Sequence, residues 1–117
     1  MAGEVLFREM IEKAAKKESI ACLLIDEEET LHAALQEGTP DALLLDIGAS
    51  ALDGPTLIQK LKQNPSTRSI PIVAFGNGLR ADLLQDAQEM GADQVLPKSA
   101  FRQQIHELLR HYDQGHS

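Results

Sequence analysis

Three short apolar runs, at residues 20–25, 42–47 and 70–75, and a shorter one at 94–96 alternate with stretches of helical spacing, and this alternation constrains the chain more than any other feature. Each run is too short for a packed helix and lacks the polar alternation of a strand with one wet face, so each reads as a strand buried on both sides. Strands that alternate with helices pair in parallel, because a parallel neighbour is reached only through a crossover, and the helices then cover both faces of the sheet. In such sheets the functional crevice lies where the strands end. Here that edge gathers Asp26, Asp46, Gly76 and Lys98.

Ahead of the first run, Leu6, Phe7, Met10, Ile11, Ala14 and Ala15 recur at helical spacing with charges opposite, which predicts an amphipathic helix over 5–17. Leu31, Ala34 and Leu35 predict a second helix over 30–36, ended by Gly38-Thr39-Pro40. A third carries Leu57, Ile58, Leu61 and Lys62 with Pro55 in its first turn, a fourth spans 79–90 and is closed by Gly91, and a fifth spans 100–111 before a polar tail at 112–117. Asp26 and the three glutamates after it read as a solvated helix start, since successive residues diverge and acids are favoured by the dipole there. Cys22 is the one cysteine; inside an apolar run it reads as a buried, inert thiol.

A chain of 117 residues with 43% hydrophobic content encloses one core, so a single domain over 1–117 is expected, with its core at about 5–111. Aromatic residues are only 3%, so Leu, Ile, Val and Ala must fill that core. Eighteen acids against eleven bases give a net charge of -7, which repels phosphate backbones and anionic lipid and argues against nucleic-acid binding. With no apolar leader and no run long enough to span a bilayer, the expected location is cytoplasmic, without membrane contact. His32, His106, His111 and His116 lack metal-ligand spacing and read as surface residues. Gly76-x-Gly78-x-x-Ala81 is like a dinucleotide fingerprint, but it follows a late strand and has no acid ending the next strand about twenty residues on. Asp46-Ile47-Gly48 lacks the second aspartate of a haloacid dehalogenase-like phosphatase, so no enzyme activity is expected.

The segment Pro40-Asp41-Ala42-Leu43-Leu44-Leu45-Asp46-Ile47 resembles the third strand and phospho-acceptor aspartate of the response-regulator receiver family, and Leu52-Asp53-Gly54 resembles the loop that follows. Ile70-Pro71-Ile72-Val73 is similar to the family's fourth strand, Gly91-Ala92-Asp93 to the turn before its fifth, and Lys98 to the lysine at that strand's end. The resemblance runs over residues 5–109 and implies a flavodoxin-like, CheY-like parallel sheet with helices on both faces. It also implies a chemistry, in which a strand-end carboxylate attacks a phosphoryl donor once a cation neutralises the incoming charge. In the family that cation is Mg²⁺, held by two acids ending the first strand, the acceptor aspartate and a carbonyl two residues on. In this chain the corresponding set is Asp46, the Gly48 carbonyl and, as the sole N-terminal acid in reach, Glu4. Lys98 would contact the phosphoryl oxygens, and a Ser or Thr ending the fourth strand would hydrogen-bond them.

The chain departs from the family at several of these positions. Counting back from Asp46 places the acidic pair at Met1 and Ala2, neither of which is acidic, while residues 5–17 match the family's first helix. The first strand is therefore expected to be absent, the alternative being a short strand at 4–7. Gly76 replaces the family's Ser or Thr, Val95 its aromatic switch residue and Ser50 a common proline, and Pro97 precedes Lys98 instead of following it. The leading expectation is a stand-alone pseudo-receiver that acts through protein–protein contact in a two-component-type pathway, with no cofactor. Its rivals are a working receiver phosphorylated on Asp46 by a histidine kinase, with Mg²⁺ at Asp46, Gly48 and Glu4, and a small-ligand-binding α/β module using the same edge. The protein partner is a histidine kinase or an output protein. Loss of a central strand strands the backbone groups of its neighbours. Either the runs at 20–25 and 42–47 pair directly, or a homodimer completes the sheet, or a strand encoded upstream of Met1 does so.

Overall fold

The computed structural model describes residues 2–25, 28–38, 40–48 and 53–111. Among these residues five helices and four strands follow one another as α1 (Ala2–Lys17), β1 (Cys22–Ile25), α2 (Glu28–Glu37), β2 (Ala42–Asp46), α3 (Gly54–Gln63), β3 (Ile72–Gly76), α4 (Ala81–Glu89), β4 (Gln94–Pro97) and α5 (Lys98–His111). The strands form one sheet in the order β1-β2-β3-β4, every pair parallel. The first helix is present and runs from Ala2, so the alternative strand at 4–7 is not formed.

The side chains sort by the two-residue period of a strand. Leu43, Leu45, Ile72 and Ala74 face a core closed by Leu31 of α2, Leu57, Ile58 and Leu61 of α3 and Ala87 of α4. Leu44, Val73 and Phe75 face the opposite core, closed by Ile11 and Ala14 of α1 and by Phe101, Ile105, Leu108 and Leu109 of α5. The two middle strands are therefore buried on both faces, as their unbroken apolar runs require.

The sheet has no gap where a central strand was expected to be missing. β1 pairs directly with β2 over its whole length, from Cys22 opposite Ala42 to Ile25 opposite Leu45. Asp41 fastens the base of this pair: its N–H donates to the Ala21 carbonyl at 2.7 Å, and its Oδ2 accepts from the Ala21 N–H at 2.9 Å. A homodimer is thus not needed to complete the sheet, and the unpaired backbone that motivated one is satisfied within the chain.

β2 and β4 start with their apolar runs, whereas β1 and β3 start two residues later. Ile20 is buried but lies in the turn after α1, where Ser19 takes a left-handed φ of 56° and the Ile20 N–H reaches the Ala15 carbonyl at 3.0 Å. That turn satisfies the last carbonyls of the helix. Ile70 is likewise buried ahead of β3, in a loop held by Lys62. Its Nζ donates to the carbonyls of Arg68 and Ile70, each at 3.3 Å, and to Asp93 Oδ2 at 2.9 Å, while Asp93 also accepts the Ile72 N–H at 2.7 Å. The Gly91-Ala92-Asp93 motif has a structural purpose here. Gly91 takes the positive φ of 114° that ends α4, and Asp93 ties the start of β3 to α3.

Candidate functional site

Asp46 closes β2, and its register partner on β3 is Phe75, which in turn faces Leu96 of β4. One step further, Gly76 pairs with Pro97, and Lys98 opens α5 immediately after. Asp46, Gly76 and Lys98 therefore share the C-terminal edge of three adjacent strands, with the backbones of β2 and β4 about 10 Å apart across β3. Lys98 is not in the strand but in the first turn of α5, two residues earlier than the expected start of that helix. Asp46 is half-buried, and its Oδ1 accepts the Gly48 N–H at 3.1 Å, which fixes the carboxylate against the first residues beyond the strand. Asp26, Ser50 and Leu52 lie outside the described residues.

Glu4 stands in the first turn of α1. α1 passes through a four-residue turn into β1, so it runs against the strands and begins toward the edge where they end. That direction is pinned at its far end by Glu18, whose carboxylate meets His106 Nδ1 at 3.1 Å and Arg110 Nε at 3.4 Å on α5. His106, whose side chain is 44% exposed, is thus a surface residue that also links the first and last helices.

Of the donors that would hold Mg²⁺ in the family's manner, the described residues supply the Asp46 carboxylate and the Gly48 carbonyl. The acidic pair belongs to the end of a strand between β1 and β2, and those two strands are hydrogen-bonded to one another. Among the described residues no three His, Cys, Asp or Glu side chains stand close enough together to hold a metal ion. Mg²⁺ demands near-octahedral oxygen coordination and is normally held by more than one carboxylate or by substrate phosphates as well. The donor set of the described residues does not fit it.

The switch positions carry packing in place of polar groups. Val95, half-buried, packs into the core beneath α4. Gly76 leaves room for the Ile47 side chain, whose Cγ1 would lie 3.0 Å from a Cβ at that position. Asp53-Gly54 is explained by helix initiation: Asp53 caps α3 by accepting the Thr56 N–H at 3.3 Å and the Thr56 hydroxyl at 2.9 Å, with Pro55 in the first turn.

Cys22, on the outer strand β1, has its thiol pKa pushed up to about 11 by burial, which outweighs an opposing backbone hydrogen bond, with a lesser upward push from the Asp41 carboxylate. The thiolate is the reactive form, and a rise of two units from the ordinary 9.0 makes it about a hundredfold scarcer near neutral pH. Alkylation of the folded chain at pH 8 is therefore expected to be about a hundredfold slower than in denaturant. Equal rates in a stopped time course would contradict this placement of the thiol. The linkage has a definite sign: stability from the protonated thiol is complete below the unfolded pKa and is lost as pH rises through about 11.

Four parallel strands with two helices on one face and three on the other, and an aspartate at the strand-end edge, define a CheY-like α/β domain. Residues 3–110 match the response regulator receiver domain family, and the chain belongs to it. The chain is 30% identical over 95 residues to the phosphate regulon transcriptional regulatory protein PhoB of Pseudomonas aeruginosa, a match covering 81% of this chain and 42% of PhoB. It is 43% identical over 61 residues to the response regulator PleD of Caulobacter vibrioides, covering 50% of this chain and 13% of PleD. The chain thus spans less than half the length of these curated relatives. Among solved structures, a response regulator from Hahella chejuensis superposes with a TM-score of 0.72 at 21% identity, covering 89% of this chain and 84% of that one. The Mn(2+)-bound response regulator Rcp1 superposes at 0.65 and 22% identity, covering 89% and 81%. These likenesses bear out the parallel sheet with helices on both faces. Among the described residues no helix is long and apolar enough to cross a membrane.

Proposed function

We propose that this receiver domain signals through protein contact, as a pseudo-receiver, and does not take up a phosphoryl group at Asp46. The observation that carries this reading is the direct ladder between β1 and β2, sealed at its base by Asp41, which occupies the place of the family's acid-bearing central strand. Without those acids a phosphoryl donor approaching Asp46 meets a carboxylate in a chain of net charge -7, with too few oxygens among the described residues to hold a neutralising cation. Gly76 and Val95 support the same reading, since neither offers the hydroxyl or the ring with which the family registers phosphorylation. On this reading the domain has no enzyme activity of its own, residues 5–111 fold as one unit, and its partner is a cytoplasmic histidine kinase or output protein.

The retention of Asp46 and Lys98 at one edge favours a second reading, a working receiver that takes Mg²⁺ at Asp46, Gly48 and Glu4. Titration with Mg²⁺ followed by amide resonances separates the two. The pseudo-receiver predicts that the Asp46 and Gly48 signals stay put through millimolar Mg²⁺. Saturable shifts at those two residues, abolished in Asp46→Asn, would establish the second reading.

A further inference from the structure

The residue after Asp46 is Ile47, 3% exposed, and two glycines make the space it fills. A Cβ on Gly54 would stand 2.5 Å from the Ile47 Cγ2, 2.9 Å from its Cβ and 3.2 Å from its Cα, and one on Gly76 would stand 3.0 Å from its Cγ1. Neither glycine has a left-handed φ, so space and not backbone freedom selects glycine at both positions. The Ile47 N–H donates to the Phe75 carbonyl at 3.0 Å, so its backbone is held to β3 as well. The first turn of α3, the end of β2 and the end of β3 thus converge on one side chain. Directly beyond Gly76 the chain turns on Asn77, whose Oδ1 accepts the Leu79 N–H and whose carbonyl accepts the Arg80 N–H, both at 2.9 Å. Gly78 lies against Pro97, where its Cβ would meet the ring at 3.5 Å.

We infer that Ile47 is a latch that fixes the turn at 77–80 and the start of α3 to the Asp46 end of the sheet in a single conformation. The side chain that the family carries at position 76 competes with Ile47 for the same volume, so the loss of the hydroxyl and the seating of the latch are one packing solution. Interiors packed this way have discrete arrangements and do not deform continuously. The surface at this edge is then presented to a partner constitutively. That consequence rests on the pseudo-receiver reading, but the latch itself does not, and its test reads amide exchange instead of phosphoryl transfer, so either can fail alone.

The test is hydrogen exchange on the full chain carrying Ile47→Ala. The N–H groups of Leu57, Arg80 and residue 47 are expected to exchange at least about tenfold faster relative to Leu44 and Val73 at the centre of the sheet, which corrects for any global loss of stability. Gly76→Ser keeps the latch residue but crowds it, and is expected to shift the same amides in the same direction, which preserves the test if Ile47→Ala does not fold. Unchanged ratios in both variants, whether exchange rises uniformly or not at all, would overturn the latch.

Discussion

Phe101→Ala is expected to lower the unfolding free energy by about 3–5 kcal/mol, a large part of the roughly 5–15 kcal/mol that holds a domain of this kind together. Phe101 on α5 and Phe75 on β3 are both fully buried, with ring centroids 4.4 Å apart and planes 17° from parallel. They are two of only three phenylalanines in the chain, and they fill the core under α1 and α5 where Leu, Ile, Val and Ala supply the rest. Truncation removes a large apolar area, leaves a cavity against Phe75 and loses the ring–ring contact, itself worth about 0.5–1.5 kcal/mol. Phe101→Leu retains most of the volume and is expected to cost less than about 1.5 kcal/mol plus the ring contact. Urea unfolding measures both through the midpoint at constant slope. A loss below about 1.5 kcal/mol for Phe101→Ala would contradict this packing, since truncation of a buried phenylalanine costs about 3–5 kcal/mol.

Gly54→Ala is expected to destabilise by about 1–3 kcal/mol although alanine is the better helix former. At a helix interior the exchange gains up to about 1 kcal/mol, and less in a first turn. Against that gain stands a Cβ placed 2.5 Å from Ile47 Cγ2 and 3.2 Å from the Ile47 Cα, and the second contact is backbone that no rotamer change relieves. The clash wins. In the Ile47→Ala background the same Gly54→Ala change is expected to cost less, because the Cγ2 is gone, and a double-mutant cycle reads the difference as a coupling energy. Strict additivity would mean that the two residues do not share this space.

The helical spacing of Met10, Ile11, Ala14 and Ala15 is enough to place α1, and counting back from Asp46 is enough to show that Met1 and Ala2, neither of them acidic, stand where the family has its acidic pair. How the sheet closes was not legible. Direct pairing of β1 with β2 depends on register and on Asp41, whose side chain reaches a residue twenty positions away. Apolar runs report burial and not ladder membership, which is why Ile20 and Ile70 were read into strands that begin two residues later. The Lys62–Asp93 pair joins positions 31 apart and the His106–Glu18 contact positions 88 apart. No local pattern announces such pairs. At the site, the alignment of Asp46, Gly76 and Lys98 along one edge followed from parallel topology alone. The meaning of Gly76 did not, since in the sequence it marks only a missing hydroxyl, while in the fold it is half of the seat for Ile47.

The retained and the lost features of the site have a common physical basis. Asp46 and Lys98 keep the places that the strand ends dictate, whatever chemistry is asked of them. Metal coordination needs several oxygens converging on one point, and convergence depends on the strand whose place the β1–β2 ladder takes. The fold survives that exchange because backbone hydrogen bonding is satisfied either way, whereas among the described residues the coordination shell has no equivalent replacement.

The most direct test is intact-mass analysis of the chain after incubation with a small phosphoryl donor and Mg²⁺, read before and after quenching. A pseudo-receiver keeps its unmodified mass. A gain of one phosphoryl group in the wild-type chain that is absent from Asp46→Asn would contradict the account.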